Sequence, residues 1–550
     1  MTDLSLMFFY YFIILFSIIG YGHLTTKIFK NQLTLAELGF NGLLIIIIIS
    51  YITNFFFTHL YIHNLIVLFV GLIFFINLLK KKISKKNYFL LLIVSLILFI
   101  GLLMHKNHDD FYYYHFPYTL SIIEFKKIIG LGNLEHGFRT PSSIFYLNSI
   151  FFLPKIDLAL INSGAIYYLI FANIFFLQKI FNQLRKKNLN FIFYLSFLSF
   201  IITNTAFYRL AEHGTDRSAL ILVFILAIYY LDSLNKKFDN KKKVFFNFYP
   251  KIIIVILLIV SLKSFYLIYY VFIISLIFEF RKYILISDQI KKLLFNRHTY
   301  YFIFATLIFL FTVFLNTGCF VYPASFTCFE STSWSIPKQQ VQDMRQWYEL
   351  WSKAGANPNY RVDNQEEYLN GLNWFTHWFK EYFFTKVSDF LFVVFLISLI
   401  TFFTLKGNTK KLPKKVSFSI FYFLILMLGV EWFLNHPTLR YGGFSLIALI
   451  FFIPLSIYME KNFEPSNSIF KKSIILIFIT FSIFFIKNVN RISNEVKKYN
   501  YKPFSKPHYH VIENAYFFRN MILRAKEIDK DRKSFYLVLT KDLIKKVNNQ

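Results

Sequence analysis

The segment His108-Asp109-Asp110-Phe111-Tyr112-Tyr113-Tyr114-His115 follows an apolar run and opens a polar stretch. Adjacent carboxylates beside imidazoles are costly so near hydrocarbon unless water, a cation or a substrate compensates them. Such a group can take a proton from a hydroxyl or bind a cation, which makes Asp109 and Asp110 the candidate catalytic residues. Other chemistry-bearing residues gather in separate places. Glu135, His136 and Arg139 share one loop, Glu212, His213, Asp216 and Arg217 crowd a short turn with Arg209, Lys263 interrupts an apolar run, and His436 and Arg440 share a second turn. With His108, Tyr114 and His115 these are the candidate substrate-binding residues. Cations that hold a phosphate beside a carboxylate that takes a proton are the ingredients of a site for an anionic substrate.

The elements that must position these residues are membrane helices. The chain has 550 residues, 56% of them hydrophobic, and a mean hydropathy of +0.48. A soluble domain of that balance has too little polar surface to cover itself. Charge-free runs such as 43–51, 65–79, 90–103 and 474–486 each sit in a stretch approaching the ~20 residues that cross a bilayer. A single-chain barrel would alternate apolar and polar residues, so the spans are expected to be helical. The net charge of +30 suggests nucleic acid in a soluble protein. Here the lysines cluster in short inter-span loops, as the positive-inside rule requires, and no nucleic-acid partner is expected. Those loops include Lys80-Lys81-Lys82, Arg185-Lys186-Lys187, Lys241-Lys242-Lys243, Lys410-Lys411 and Lys471-Lys472, all assigned to the cytoplasm.

Alternating the loops gives an all-α polytopic membrane protein of about fourteen spans, the bundle occupying 1–487 with outer loops at 105–154 and 316–389. The first span, 4–21, lacks a preceding basic region and is expected to be retained rather than cleaved. Residues 118–129 carry apolar positions at helical spacing and predict an amphipathic helix along the interface. The fifth span is expected at 156–177, and 244–280 reads as a hairpin with its outer tip at 261–264. Trp334, Trp347, Trp351, Trp374 and Trp378 suit a membrane-facing cap or a sugar-stacking surface. Cys319 and Cys328 share that outer loop, where an oxidising periplasm would join them in a disulfide. Residues 488–550 predict a small polar α/β appendage with a strand at 534–540.

The many spans, the acidic pair just past a helix end, the helix after it and the polar C-terminal piece together resemble the GT-C superfamily of polyprenyl-phosphate-dependent glycosyltransferases. His108-Asp109-Asp110-Phe111-Tyr112, Tyr114-His115-Phe116-Pro117 and Glu135-His136-Gly137-Phe138-Arg139 resemble a bacterial branch of it. The resemblance covers most of residues 80–490, and it implies a GT-C-like bundle in a bacterial inner membrane with its active face periplasmic. It implies transfer of a sugar from a polyprenyl-phosphate donor to a glycan or lipid acceptor. Asp109 or Asp110 would deprotonate the acceptor, or would bind a divalent metal as in metal-dependent members, and Arg217, Arg440 and Lys263 would hold the donor phosphate. The best-known members carry the acidic motif after their first span, whereas here it follows the fourth.

Two other classes compete. An O-antigen-type polysaccharide polymerase or ligase would rely on arginines in large outer loops and needs no early acidic pair. A lipid or glycan transporter without covalent chemistry would carry charges at mid-membrane depth. No Gly-x-x-x-x-Gly-Lys-Ser/Thr phosphate loop is present, which argues against ATP-driven pumping within this chain.

Overall fold

The computed structural model of the chain describes residues 3–29, 31–80, 85–108, 110–187, 189–235, 241–284, 287–357, 362–409, 419–466, 468–503, 540–542 and 545. Asp109 and all but Thr540 of the expected strand at 534–540 lie outside them. Among the described residues eleven helices are long and apolar enough to cross a membrane: α1 (Asp3–Phe29), α2 (Leu35–Asn54), α3 (Tyr61–Leu79), α4 (Lys85–Leu102), α5 (Gly164–Arg185), α7 (Gly214–Asn235), α8 (Lys241–Leu262), α10 (Arg297–Thr317), α11 (Phe375–Leu405), α13 (Gly443–Asn462) and α14 (Ile469–Tyr499). Three shorter apolar helices, α6 (Phe191–Ala206), α9 (Ser264–Glu279) and α12 (Ile420–Asn435), occupy the places where further spans are expected. This is a nearly all-α, multi-pass membrane architecture. Its strands among the described residues are a two-residue antiparallel pair, Asn408–Thr409 with Phe463–Glu464.

Helix boundaries follow local chemistry. Thr34 and Glu37 form a reciprocal capping box at the start of α2, satisfying donors that would otherwise be orphaned. Asn190 and Asn296 cap α6 and α10, and Gly318, in the left-handed region, ends α10. In the interior, α1 packs on α2 and α3 with backbones almost touching. A Cβ on Gly20 would lie 1.9 Å from the Gly71 carbonyl oxygen, so only glycine permits that approach. The α2, α5, α7 and α8 segments are more than four-fifths buried, whereas α3, α4, α10, α11 and α14 bury well under half. The outer helices turn Ile62, Phe69, Phe392, Met427 and Phe478 outward, a surface suited to lipid tails.

Several expected boundaries move. The amphipathic interfacial helix is instead a short helix, Phe116–Glu124, buried from Phe116 to Ile123. Beyond it Lys127 turns inward, its Nζ 2.6 Å from Asn316 Oδ1 and 3.2 Å from the Tyr146 hydroxyl. Burial among these neutral partners pulls the Lys127 amine down to about 7. Periodicity showed one apolar face but could not show that the other face is covered too. The fifth span begins at Gly164 rather than at 156, because 151–163 fold into successive turns. The last helix runs unbroken through residue 487 to Tyr499, so the compositional shift there is a change of surroundings within one helix. Trp374 and Trp378 are buried at 0% and 3% exposure, which makes them core residues rather than interfacial anchors. Cys319 and Cys328 are joined in a disulfide.

The loops that follow α2, α4 and α10 are stitched together at one end of the bundle. Asn54 Nδ2 donates to the Phe125 carbonyl, Gly130 N–H to the Leu315 carbonyl, and Asn133 Nδ2 to the Trp334 carbonyl. The described lysines of the basic loops, Lys80, Lys186, Lys242 and Lys472 among them, fall at the opposite helix ends.

Candidate functional site

The stitched end of the bundle collects four charged side chains from four distant parts of the chain. Asp110 stands at the mouth of the π-helical turn Phe111–His115, and Asp216 lies in the first turn of α7. Lys263 occupies the extended break between α8 and α9. Arg440 sits in the short turn Leu439–Tyr441, which ends at Gly442 with φ +111°, a conformation that glycine adopts freely. Arg440 Nε donates to Asp216 Oδ2 at 3.1 Å and its Nη2 to Asp110 Oδ2 at 3.0 Å. Lys263 Nζ donates to Asp216 Oδ1 at 2.5 Å. Side-chain exposures of 28% for Arg440 and 25% for Asp110 leave the group reachable from outside.

Aromatic rings roof the two cations. Tyr441 lies 4.5 Å from Lys263 Nζ, and Trp351 lies 5.4 Å from the Arg440 guanidinium. Burial alone would raise the Asp110 carboxyl, but Arg440, and after it His108 and His115, hold it well below the usual carboxylate range. Burial lowers Lys263, and Asp216 restores part of that. Two acids here face two cations, so the cluster is neutral as it stands.

Gathered around it are further residues singled out from the sequence. Asp110 N–H donates to His108 Nδ1 at 3.1 Å, and the same nitrogen lies 3.4 Å from Asp110 Oδ2. Tyr114 is held against the Gly137 backbone, where an added Cβ would come within 2.3 Å of the ring. His115 is buried and packs against Tyr114 and Phe145. Burial pulls it down to about 4. His115 lines a cavity of about 20 Å³ together with Asn148, Asn162 and Glu212, room for about one water. His436 packs on Phe265 and Tyr441, and burial lowers it to about 4.

A second charged group stands beside the first. Glu212 accepts from Arg209 Nε at 2.7 Å and Nη2 at 2.5 Å, and from Arg491 Nη1 at 3.3 Å. Glu495, one turn on from Arg491 in α14, accepts from the His105 N–H at 2.8 Å. This network pins the last turns of α14 to the loops at residues 105 and 209. Arg217 does not enter the Asp110 cluster. Its guanidinium lies over Phe207 at 6.0 Å, with no carboxylate within 4.0 Å among the described residues. The side chain of His213 lies outside what is described.

In the third group, Glu135 is 2% exposed and its Oε1 accepts from the Tyr113 hydroxyl at 2.7 Å and from the His136 backbone N–H at 2.8 Å. The same oxygen lies 2.6 Å from His136 Nδ1. Arg139 commits its donors to the Gly132 carbonyl and the Tyr322 hydroxyl, which makes it a brace for the loop rather than a group aimed at the cluster. Across from His136 lies Trp347, with ring centroids 6.0 Å apart, and Trp347 stacks on Trp351 at 6.4 Å.

Among the described residues no group of three or more His, Cys, Asp or Glu side chains is placed to hold a metal ion. Both oxygens of Asp216 and Oδ2 of Asp110 already accept from cations, a poor fit to a divalent metal, and no chemical step is assigned to one.

Residues 4–447 match the model of a family described as Domain of unknown function (DUF8201). The chain belongs to this family. The matched region takes in Asp110, Glu135, Asp216, Lys263 and Arg440 and stops short of Arg491 and Glu495. Searches of curated proteins and of solved structures return no match. For this family member the comparisons therefore give a lineage without a chemistry.

Sequence reasoning missed Tyr113, Tyr441 and Arg491 and did not attach Trp347 or Trp351 to the charged groups. Tyr441 adjoins Arg440 and could have been paired with it. Arg491 and Glu495 stand one turn apart just past an apolar run, a signal that was read as the start of an appendage.

Proposed function

We propose that the protein is a membrane glycosyltransferase. It moves a sugar from a polyprenyl-phosphate-linked donor to an envelope glycan or lipid acceptor on the periplasmic face of a bacterial inner membrane. The observation that carries this reading is the neutral Asp110, Asp216, Lys263 and Arg440 cluster, accessible and capped by aromatic rings at one end of an apolar bundle.

A lipid phosphate arriving there brings its tail along the apolar outer helices and its charge to Lys263 and Arg440, whose present partners are carboxylates of the same geometry as a phosphate edge. Arg217, one residue beyond Asp216 and without a carboxylate within 4.0 Å among the described residues, stands outside the cluster over Phe207 and would have to turn toward it to meet the leaving phosphate. Asp110, held well below the usual range by Arg440, is a weak base and serves to orient the guanidinium.

The test is a strain in which Arg440→Ala replaces the natural chain, with polyprenyl lipids and envelope glycans measured by mass spectrometry. The transferase reading expects a polyprenyl-monophosphate sugar to accumulate and one sugar to vanish from an envelope glycan. Accumulation of a diphosphate-linked oligosaccharide would identify a polymerase or ligase instead. Lipids and glycans that do not change would rule out any transfer step at this site.

A further inference from the structure

The Glu135, His136 and Trp347 group is built like a binding site for a sugar ring, and the ion cluster does not use it. Glu135 is buried and its Oε1 is surrounded by donors from Tyr113, the His136 backbone and His136 Nδ1. The Tyr113 hydroxyl also lies 2.7 Å from Nδ1, so two partners hold that nitrogen and fix the ring in orientation. Its Nε2 then has no hydrogen-bond partner among the described residues. That nitrogen is a hydrogen-bonding group on a side chain that is 22% exposed, beside an indole.

Trp347 itself is 45% exposed, an unusual expense for so large an apolar ring at the stitched end of the bundle unless something covers it. The indole and the imidazole meet edge to face at 6.0 Å, which sets a polar ring atom beside an exposed apolar ring at an angle to it. That pairing matches a pyranose, whose C–H face is apolar and whose hydroxyls project from the ring edge. From Trp347 the aromatic surface continues through Trp351 to the Arg440 guanidinium.

We infer that Trp347 and His136 form a pyranose-binding subsite. A sugar ring of the acceptor glycan lies on the Trp347 face, and one of its hydroxyls hydrogen-bonds with His136 Nε2. Naming this the acceptor end rests on the transferase reading. Binding of a pyranose at this place does not.

The full chain in lipid nanodiscs is titrated with methyl glycosides of glucose, galactose, mannose and N-acetylglucosamine while tryptophan emission is followed. At least one glycoside is expected to shift the emission saturably at millimolar concentration. Trp347→Phe is expected to remove the shift. His136→Asn keeps an amide donor near Nδ1 for Glu135 but deletes Nε2, and is expected to weaken binding about tenfold, the loss of one good hydrogen bond. His136→Gln, which places an amide near Nε2, recovers part of it, and gel filtration confirms that each variant is folded.

The subsite is overturned if no glycoside moves the emission, if the shift survives Trp347→Phe, or if vesicles of phosphatidylglycerol produce it in place of sugars. Sugar binding that persists while Arg440→Ala leaves envelope glycans untouched would keep the subsite and discard the transferase. Donor accumulation in Arg440→Ala with no glycoside bound at Trp347 would do the reverse.

Discussion

The ion cluster around Arg440 and the group around Glu135 use similar residues and leave different things over. In the first, Asp110 and Asp216 face Lys263 and Arg440, and the charges cancel within the protein. In the second, a single buried carboxylate is consumed by donors from its own loop and from Tyr113, and what remains is one edge of an imidazole beside an exposed indole. Charge that is already balanced can be exchanged for a substrate's charge. An oriented ring nitrogen beside an indole suits a neutral ligand such as a sugar hydroxyl. On the proposed transferase reading, the two groups divide the labour between an anion at one end and a polar neutral chain at the other.

The comparison breaks most sharply at Arg440. Arg440→Ala leaves two carboxylates facing each other across the cluster. Removing one partner of a buried pair costs about 3–5 kcal/mol, and partial exposure puts this site near the lower figure. A thermal melt in detergent should fall accordingly, and an unchanged melt would mean that the cluster is looser than its distances imply. His115 comes next. Folding holds it neutral down to about 4 where the unfolded chain takes a proton near 6.5. Between those pH values the unfolded state binds the extra proton, so stability drops as pH falls, by about 3 kcal/mol in all. The same melt run from pH 7 to pH 4 should show a slope at least that large, since His436 is lowered to about 4 as well, and His115→Gln should remove the His115 share of it.

Smaller effects sharpen the other half. Glu135→Gln weakens charge-assisted hydrogen bonds worth about 1.5–3 kcal/mol each, and it frees the imidazole to turn. Stability should decline by about 2 kcal/mol, and any glycoside shift at Trp347 should weaken with it. Trp347→Phe should cost no more than about 0.5 kcal/mol, as for an exposed side chain away from the core. A large loss of stability there would make the indole a structural strut instead of a binding face.

Much of the bundle was legible in the sequence because hydrocarbon imposes its demands locally. Each apolar run announces itself, and the helices lie within a few residues of the expected positions for most of the chain, with the tip of the α8 to α9 hairpin at Lys263 as read. What failed did so where neighbours decide. Residues 118–129 show a helical stripe, yet Asn316 and Tyr146 from elsewhere cover the polar side and draw Lys127 inward. Trp374 and Trp378 look like anchors and are packed within the core.

The candidate site was legible as a list of rare charges but not as a set of partnerships. Arg217 and Arg440 had equal standing in the sequence, and only the turn at Gly442 aims Arg440 between Asp110 and Asp216 while Arg217 lies over Phe207.

Composition and spacing by themselves determined that the chain is a bundle of membrane helices with its lysines in the loops at one end. Transfer into lipid is a sum over local segments, so a stretch of sequence suffices to judge it. Tertiary structure alone decided which acid meets which base, because a charge-assisted hydrogen bond requires contact within about 3 Å. Residues as distant as Asp110 and Arg440 reach that separation only when the whole bundle has closed.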